Sequence, residues 1–145
     1  MVTMQEPVMG RFSVEVELAN DADLMRAEIG DISADQVRRL RIRGVVDSGA
    51  TRLVIPESVA KQLGLEISGN VSVRYADGRT AEQAVAQRVR LSCQGRESIF
   101  SAIVEPGRES VLIGAIVMEE LDFLIDCTGQ RLVPRDPDRI ISEVE

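Results

Sequence analysis

The chain has 145 residues, of which 44% are hydrophobic and 3% aromatic, and its formal net charge is -7. This length supports one domain with its own core and is too short for two ordinary domains. A negative charge without any basic run disfavours nucleic acid and anionic membranes as partners. Neither a signal peptide nor a membrane-spanning stretch is recognisable, so we expect a soluble, cytoplasmic protein.

The absence of histidine restricts the chemistry that the chain can perform. Ser-His-Asp, Cys-His and HExxH mechanisms all need an imidazole. Cys93 and Cys127 match no metal-ligand spacing and are expected to be small hydrophobic residues of the core without a chemical role. Acid-base work then falls to Asp and Glu, to Tyr75 or to Lys61, and carboxylates can perform it when one of a pair holds a proton. We predict no metal and no organic cofactor.

The first half of the chain alternates between apolar and charged residues. Residues 12–18 have the period of a half-buried strand. A polar loop over residues 20–36 follows, with one short helical turn around residues 24–27. Alternation resumes at residues 39–43 and becomes the apolar pair Val45-Val46, which predicts a strand that passes into the interior and ends at Asp47.

The second half contains many short apolar segments separated by turns. We predict strands over residues 53–55, 71–75, 84–86, 89–93, 99–104, 111–113, 123–125 and 131–133. Short helices are predicted over residues 56–64 and 117–121, the first with Pro near its start and Gly at its end. The dipeptide Asp77-Gly78 favours a tight turn in a projecting hairpin. This pattern predicts an all-β protein, a closed or partly closed barrel with one or two short helices.

The candidate catalytic residue is Asp47, which follows a buried strand and precedes Ser48, Gly49 and Ala50. Gly49 permits a backbone conformation or a close contact that a Cβ would block, and the Ser48 hydroxyl can bond the backbone across the loop. Two such carboxylates on a two-fold axis cannot both ionise, so one would hold a proton while the other activates a water. The alternative is an Asx-type turn in an ordinary β protein.

The segment Val46-Asp47-Ser48-Gly49-Ala50-Thr51 and the following residues 53–56 resemble the catalytic loop of retropepsin-like aspartic proteases, whose motif is Asp-Thr/Ser-Gly-Ala. A second element of that family, two apolar residues and a Gly before a short helix, matches Leu112-Ile113-Gly114. The resemblance covers residues 11–134 and leaves residues 1–10 as an N-terminal extension and residues 135–145 as a polar tail. It implies an acid-protease-type barrel that forms a two-fold homodimer, cleaves a peptide or protein substrate and contributes one Asp47 per chain.

The hairpin around Asp77-Gly78 falls where this family carries the flap that covers the substrate. The resemblance therefore implies flap residues Tyr75, Ala76, Asp77, Gly78 and Arg79. A plain solvent-exposed hairpin without this role is the alternative, because the chemistry of a turn does not determine what the turn covers.

The sequence also departs from the family pattern. Many viral members have an Arg after the second motif and an Asp just beyond the catalytic Ala, whereas this chain has Ala115 and Thr51. Because both partners are absent together, no charge is left unpaired, but the dimer is expected to be held differently or more weakly than in the viral enzymes. The segment from Asp126 to Gly129 is interpreted as a turn between strands and not as a second catalytic triplet. A catalytically idle dimerisation or peptide-binding module is the alternative function.

Overall fold

A computed structural model describes residues 11–145, so the predicted extension over residues 1–10 lies outside the described part. This described part contains nine strands and three α-helices, with a short 3₁₀ turn at Ala34–Gln36. The elements are β1 (Arg11–Asn20), α1 (Asp21–Glu28), β2 (Arg39–Asp47), β3 (Leu53–Pro56), α2 (Glu57–Gln62), β4 (Ile67–Arg74), β5 (Thr80–Cys93), β6 (Arg96–Glu105), β7 (Val111–Ile113), α3 (Ala115–Leu121), β8 (Phe123–Asp126) and β9 (Arg131–Pro134).

Six of the strands form a closed barrel, which confirms the predicted fold class. The strands pair in the order β1-β2-β7-β3-β6-β5, and a further pairing of β1 with β5 closes the barrel. β4 pairs with β5 outside this ring, while β8 and β9 form a separate two-stranded sheet. Closure leaves the barrel strands without an open edge.

The alternating residues of β1 and β2 explain why these strands line the barrel. They pair antiparallel from Arg11 opposite Asp47 to Ala19 opposite Arg39. Side chains of alternate residues point to opposite faces, so the apolar ones enter the core while the charged ones stay outside. The largest fully buried side chains come from both halves of the chain: Leu18, Leu53, Ile55, Leu63, Leu91, Ile113 and Leu121.

The short strand β7 organises the region around Asp47. It lies between β2 and β3, parallel to the first and antiparallel to the second, with Leu112 opposite both Val45 and Val54. β2 and β3 are consecutive in the chain but are separated in the sheet by β7. The loop that joins them must therefore cross the end of β7, which fixes its position on the barrel.

Two predicted strands, residues 84–86 and 89–93, form one continuous strand, so the prediction of separate strands was wrong. β5 runs unbroken from Thr80 to Cys93, with a shift in its register to β6 between Ala86 and Val89. Arg88 adopts a positive φ of 57° at this irregularity. An extra residue of this kind bends a strand and interrupts its alternation without ending it.

The predicted single helical turn around residues 24–27 is also longer than expected. α1 has eight residues and begins directly after β1. The side chain of Asn20 accepts a hydrogen bond from the Asp23 amide at 3.0 Å and so caps the helix. The same side chain donates to the Leu63 carbonyl at 2.9 Å, which ties α1 to the end of α2.

Residues 135–145 contain no helix or strand, and part of this polar segment is bonded to the domain. Arg135 donates to the Asp122 carboxylate at 2.7 Å, and the Ile141 amide donates to the second oxygen of Asp122 at 3.0 Å. The Arg135 guanidinium, followed by the Ile141 amide, lowers the pKa of Asp122. Within residues 11–145, no helix has the length and apolar character needed to cross a membrane.

Candidate active site

Asp47 is the last residue of β2, and its carboxylate lies at the start of the loop that crosses β7. Asp47 Oδ1 accepts a hydrogen bond from the Gly49 amide at 2.9 Å, and the Asp47 carbonyl accepts one from the Ala50 amide at 3.1 Å. Asp47 Oδ2 lies 3.6 Å from Nε of Arg11, and the Asp47 side chain is 24% exposed. The carboxylate is thus held by its own loop and remains accessible.

Ser48 and Gly49 form the exposed tip of this loop. A Cβ on Gly49 would lie 3.3 Å from Asp47 Oδ1, so this glycine permits the close approach of the carboxylate. Its φ is not positive, which leaves the close contact, and not an unusual backbone conformation, as its role. The exposed Ser48 hydroxyl makes no hydrogen bond to residues 11–145, so the bond across the loop that the sequence allows is not formed.

The segment Leu112-Ile113-Gly114 packs against the loop that follows Asp47. A Cβ on Gly114 would lie 2.6 Å from backbone atoms of Thr51 and Arg52, closer than real Cβ contacts allow. After this contact, the first amides of α3 donate to the loop: Ala115 to the Ala50 carbonyl and Ile116 to the Thr51 carbonyl, both at 2.9 Å. The second motif therefore fixes the loop through the backbone, while Ile113 is buried in the core.

A cleft of about 540 Å³ opens beside Asp47 and extends to the hairpin formed by β4 and β5. Below, this space is called the active-site cleft; it is lined by Asp47, Gly49, Ala50, Thr51, Arg52, Val54, Ser72, Val73, Arg74, Tyr75, Ala76, Ile103, Glu105, Arg108 and Leu112. Of the five residues assigned to the flap, Tyr75 and Ala76 line the cleft. Asp77, Gly78 and Arg79 do not.

Those three residues instead build the turn at the tip of the hairpin. Gly78 has a φ of 89°, which favours glycine, and its amide donates to the Tyr75 carbonyl at 2.9 Å. The Asp77 carboxylate accepts from Arg79 Nε at 2.8 Å and from the Arg79 amide at 3.0 Å, and these bonds lower the pKa of Asp77. The tight turn predicted at Asp77-Gly78 is confirmed, and the flap role stays a prediction.

A partly buried polar link connects this hairpin to the barrel. The Tyr75 hydroxyl donates to Glu105 Oε1 at 2.9 Å and accepts from Gln83 Nε2 at the same distance. The guanidinium of Arg79 lies 4.9 Å from the centre of the Tyr75 ring. Glu105 and Gln83 were not singled out in the sequence, because no local pattern indicates a partner 30 residues away along the chain.

Asp126 lies in the turn of the β8–β9 hairpin, as predicted, and is not part of the cleft. Its carboxylate accepts from the Gly129 amide at 3.0 Å and from Arg131 Nε at 3.1 Å, and both bonds lower the pKa of Asp126. Within residues 11–145, no group of three or more Cys, Asp or Glu side chains is arranged to hold a metal ion. The active-site cleft of one chain contains two carboxylates, Asp47 and Glu105.

The closed barrel, the strand β7 between β2 and β3, and an accessible Asp on the crossing loop define the fold of retroviral-type proteases. The structure is similar to that of the retroviral EIAV protease complexed with the inhibitor HBY-793, with a TM-score of 0.53 at 15% identity. This match covers 91% of the chain and 99% of the EIAV chain. Residues 25–125 match the aspartyl protease family, and the chain therefore belongs to that family. Among curated proteins, no match is found.

Proposed function

We propose that the protein is an aspartic endopeptidase that acts as a homodimer, with one Asp47 from each chain. The observation that carries this proposal is the position of Asp47, on a loop fixed by α3 and Gly114 and open to the active-site cleft. Among residues 11–145, Glu105 is the only other carboxylate in that cleft, and it is bonded to Tyr75. The second catalytic carboxylate must then come from a second chain.

In this mechanism, the two Asp47 side chains meet on the two-fold axis and share one proton. The ionised carboxylate takes a proton from a water, which attacks the scissile carbonyl. The protonated twin polarises that carbonyl and later gives its proton to the leaving nitrogen. The Gly49 amide at 2.9 Å keeps Asp47 Oδ1 in place throughout.

Membership of the aspartyl protease family supports hydrolysis of peptide bonds, and the EIAV protease provides a protein of the same fold that binds an inhibitor. The hairpin of β4 and β5 supports a flap role, because Tyr75 and Ala76 line the cleft that contains Asp47. Cys93 is buried as expected, whereas Cys127 is exposed, so the prediction that it is a core residue was wrong. We further propose a cytoplasmic location, for which an exposed, unpaired thiol is suited.

A peptide library assayed at several pH values tests the proposal. We expect the wild-type chain to produce defined fragments and Asp47→Asn to produce none, since the amide cannot share a proton with its twin. Activity per chain should fall on dilution below the dimer dissociation constant. If the wild-type chain binds peptides without cleaving them, the protein is instead the catalytically idle peptide-binding module.

A further inference from the structure

Arginine is concentrated in the active-site cleft, although the chain as a whole carries a net charge of -7. Arg52 follows the Asp47 loop, Arg74 ends β4 beside the flap turn, and Arg108 lies in the connection between β6 and β7. All three line the same cleft as Asp47. The cleft also contains the carboxylates of Asp47 and Glu105, so its described lining has three cationic and two acidic side chains, a small excess of positive charge on a negatively charged protein.

These three cations have no carboxylate partner within the described part of the chain. Elsewhere, arginines such as Arg38, Arg90 and Arg135 bind carboxylates at 2.7 to 2.8 Å. By contrast, no carboxylate of residues 11–145 lies within 4.0 Å of the guanidinium of Arg52, Arg74 or Arg108. Their charge is available to a ligand in the cleft.

Neutral acceptors hold two of these side chains in place. Arg108 Nε donates to the Ser110 carbonyl at 2.8 Å, which leaves both terminal nitrogens of its guanidinium for another acceptor. Arg52 donates one terminal nitrogen to the Ser101 hydroxyl at 3.0 Å. Two terminal nitrogens in one plane match the two oxygens of a carboxylate, which is the bidentate geometry that arginine favours.

Neither of the cleft's own carboxylates, Asp47 or Glu105, forms an ion pair with these cations within 4.0 Å. Glu105 accepts the Tyr75 hydroxyl, and Asp47 accepts the Gly49 amide. Apolar side chains, among them Val54, Ile103 and Leu112, form another part of the wall. The cleft thus combines apolar contacts with unpaired guanidinium groups, which suits a peptide that has both apolar and acidic side chains.

We propose that the active-site cleft selects substrates with an Asp or Glu side chain near the scissile bond, and that Arg74 and Arg108 bind its carboxylate. This inference rests on the proposed function, because it assigns the substrate class of the same cleft. Low-dielectric walls strengthen the field of such cations, so an acidic peptide is both attracted to the cleft and held there.

The test uses matched peptides with one apolar core and Glu, Gln or Lys at positions flanking the cleaved bond. Their ends are acetylated and amidated, so that side chains supply the only carboxylates. We expect kcat/KM for the Glu peptide to exceed that for the Gln peptide by about tenfold, as for a hydrogen-bonded charge pair. The ratio should fall as salt is raised. Equal values for the Glu and Gln peptides would overturn the proposal.

Substitutions of Arg74 and Arg108 test whether these two residues cause the preference for the Glu peptide. Arg74→Gln and Arg108→Gln should each lower the Glu-to-Gln ratio, and the double change of both residues to Glu should favour the Lys peptide. Arg43→Gln is the matched control, because Arg43 is an exposed arginine of β2 outside the active-site cleft. A Glu preference that survives the double charge reversal would also overturn the proposal.

Binding separates this inference from the proposed function. The same peptides, carrying a fluorophore, are titrated with the Asp47→Asn chain and followed by anisotropy. If no peptide is cleaved by the wild-type chain but the Glu peptide binds more tightly than the Gln peptide, the inference stands and the proposed catalysis fails. If the wild-type chain cleaves the Glu and Gln peptides equally well, the proposed catalysis stands and the acidic preference fails. If no peptide is cleaved and the Glu peptide binds no more tightly than the Gln peptide, or neither binds, both the catalysis and the preference fail.

Discussion

Gly114 shows how one missing side chain can position a catalytic loop. A Cβ there would meet the backbone of Thr51 and Arg52 at 2.6 Å, and backbone cannot move as a side-chain tip can. We expect Gly114→Ala to lower the free energy of unfolding by about 1–3 kcal/mol, as in other overpacked cores, and to abolish peptide cleavage because the Asp47 loop is displaced. Thermal unfolding and the peptide assay measure both effects.

Gly44→Ala is the matched control for this change. Gly44 is also buried, but a Cβ there would meet the tip of the Ile113 side chain at 2.7 Å, and that tip can rotate. A smaller loss of stability is expected. If Gly114→Ala is no more destabilising than Gly44→Ala and still cleaves peptides, the contact with the loop is not required.

Asp23 ties α1 to the start of β2 and makes stability depend on pH. Its side chain is 3% exposed and accepts Nε of Arg38 at 2.8 Å and the Arg38 amide at 3.0 Å. The side-chain bond from Arg38 is the main cause of the lowered pKa of Asp23. Because the pKa of Asp23 is lower in the folded than in the unfolded state, the ionised carboxylate stabilises the fold fully at pH values above ~3.9, the pKa of an unperturbed Asp. This contribution is lost as the pH falls through the lowered pKa of the folded state.

Asp23→Asn should therefore reduce the free energy of unfolding at pH 7 by about 2 kcal/mol. The difference from wild type should shrink as the pH falls below ~3.9, where the carboxylate of the unfolded chain begins to take up a proton, until the folded carboxylate is also protonated at its lowered pKa. Urea unfolding across pH measures this, with Asp31→Asn as the control, since Asp31 is exposed. A difference that stays constant down to acidic pH would show that the charge of Asp23 is not what stabilises the fold.

The hairpin of β4 and β5 depends on tertiary contacts for its position. β4 is largely exposed and pairs only with β5 among the described strands, so the Tyr75 link to Glu105 and Gln83 is its main polar tie to the cleft wall. Tyr75→Phe removes both bonds. We expect kcat/KM to fall about tenfold, since each bond contributes on the order of 1 kcal/mol to the position of the hairpin. The melting temperature should fall by only a few degrees.

Ser68→Ala provides the matched control for the hairpin. It removes a side-chain bond between the same two strands, the one that Ser68 accepts from Gln87 at 2.7 Å, at the end away from the turn. Activity should be retained. If the two variants lose activity equally, the effect comes from the general stability of the hairpin and not from the Tyr75 link.

Some helices, strands and turns could be predicted from the sequence, and others were predicted with wrong bounds. β1 and β2 were predicted because their alternation is regular, and the Asp77-Gly78 turn because its residues suit a positive φ. β5 was divided in two because the irregularity at Arg88 breaks the period within one strand. α1 was predicted too short although Asn20, Asp21 and Asp23 are the cap and first-turn residues of a helix start.

For the molecule as a whole, the position of Asp47 could be predicted and the composition of its cleft could not. The Asp-Ser-Gly-Ala segment and the later Gly motif are local patterns, and the structure brings them together through Gly114. The pairing of β1 with β5 joins segments that are far apart in the chain. The same is true of the cleft, which Arg74 lines together with Glu105 and Arg108. No spacing in a single sequence indicates such contacts.

The central claim, that Asp47 works as a pair across a two-fold axis, is tested most directly by mixing wild-type and Asp47→Asn chains in equal amounts. With random exchange, about a quarter of the dimers contain two Asp47 side chains, so half of the wild-type chains lie in inactive heterodimers. The activity is then expected to fall to about half that of the same wild-type chains assayed alone. Exchange is confirmed separately with differently tagged chains. Full retention of wild-type activity after confirmed exchange would contradict the account.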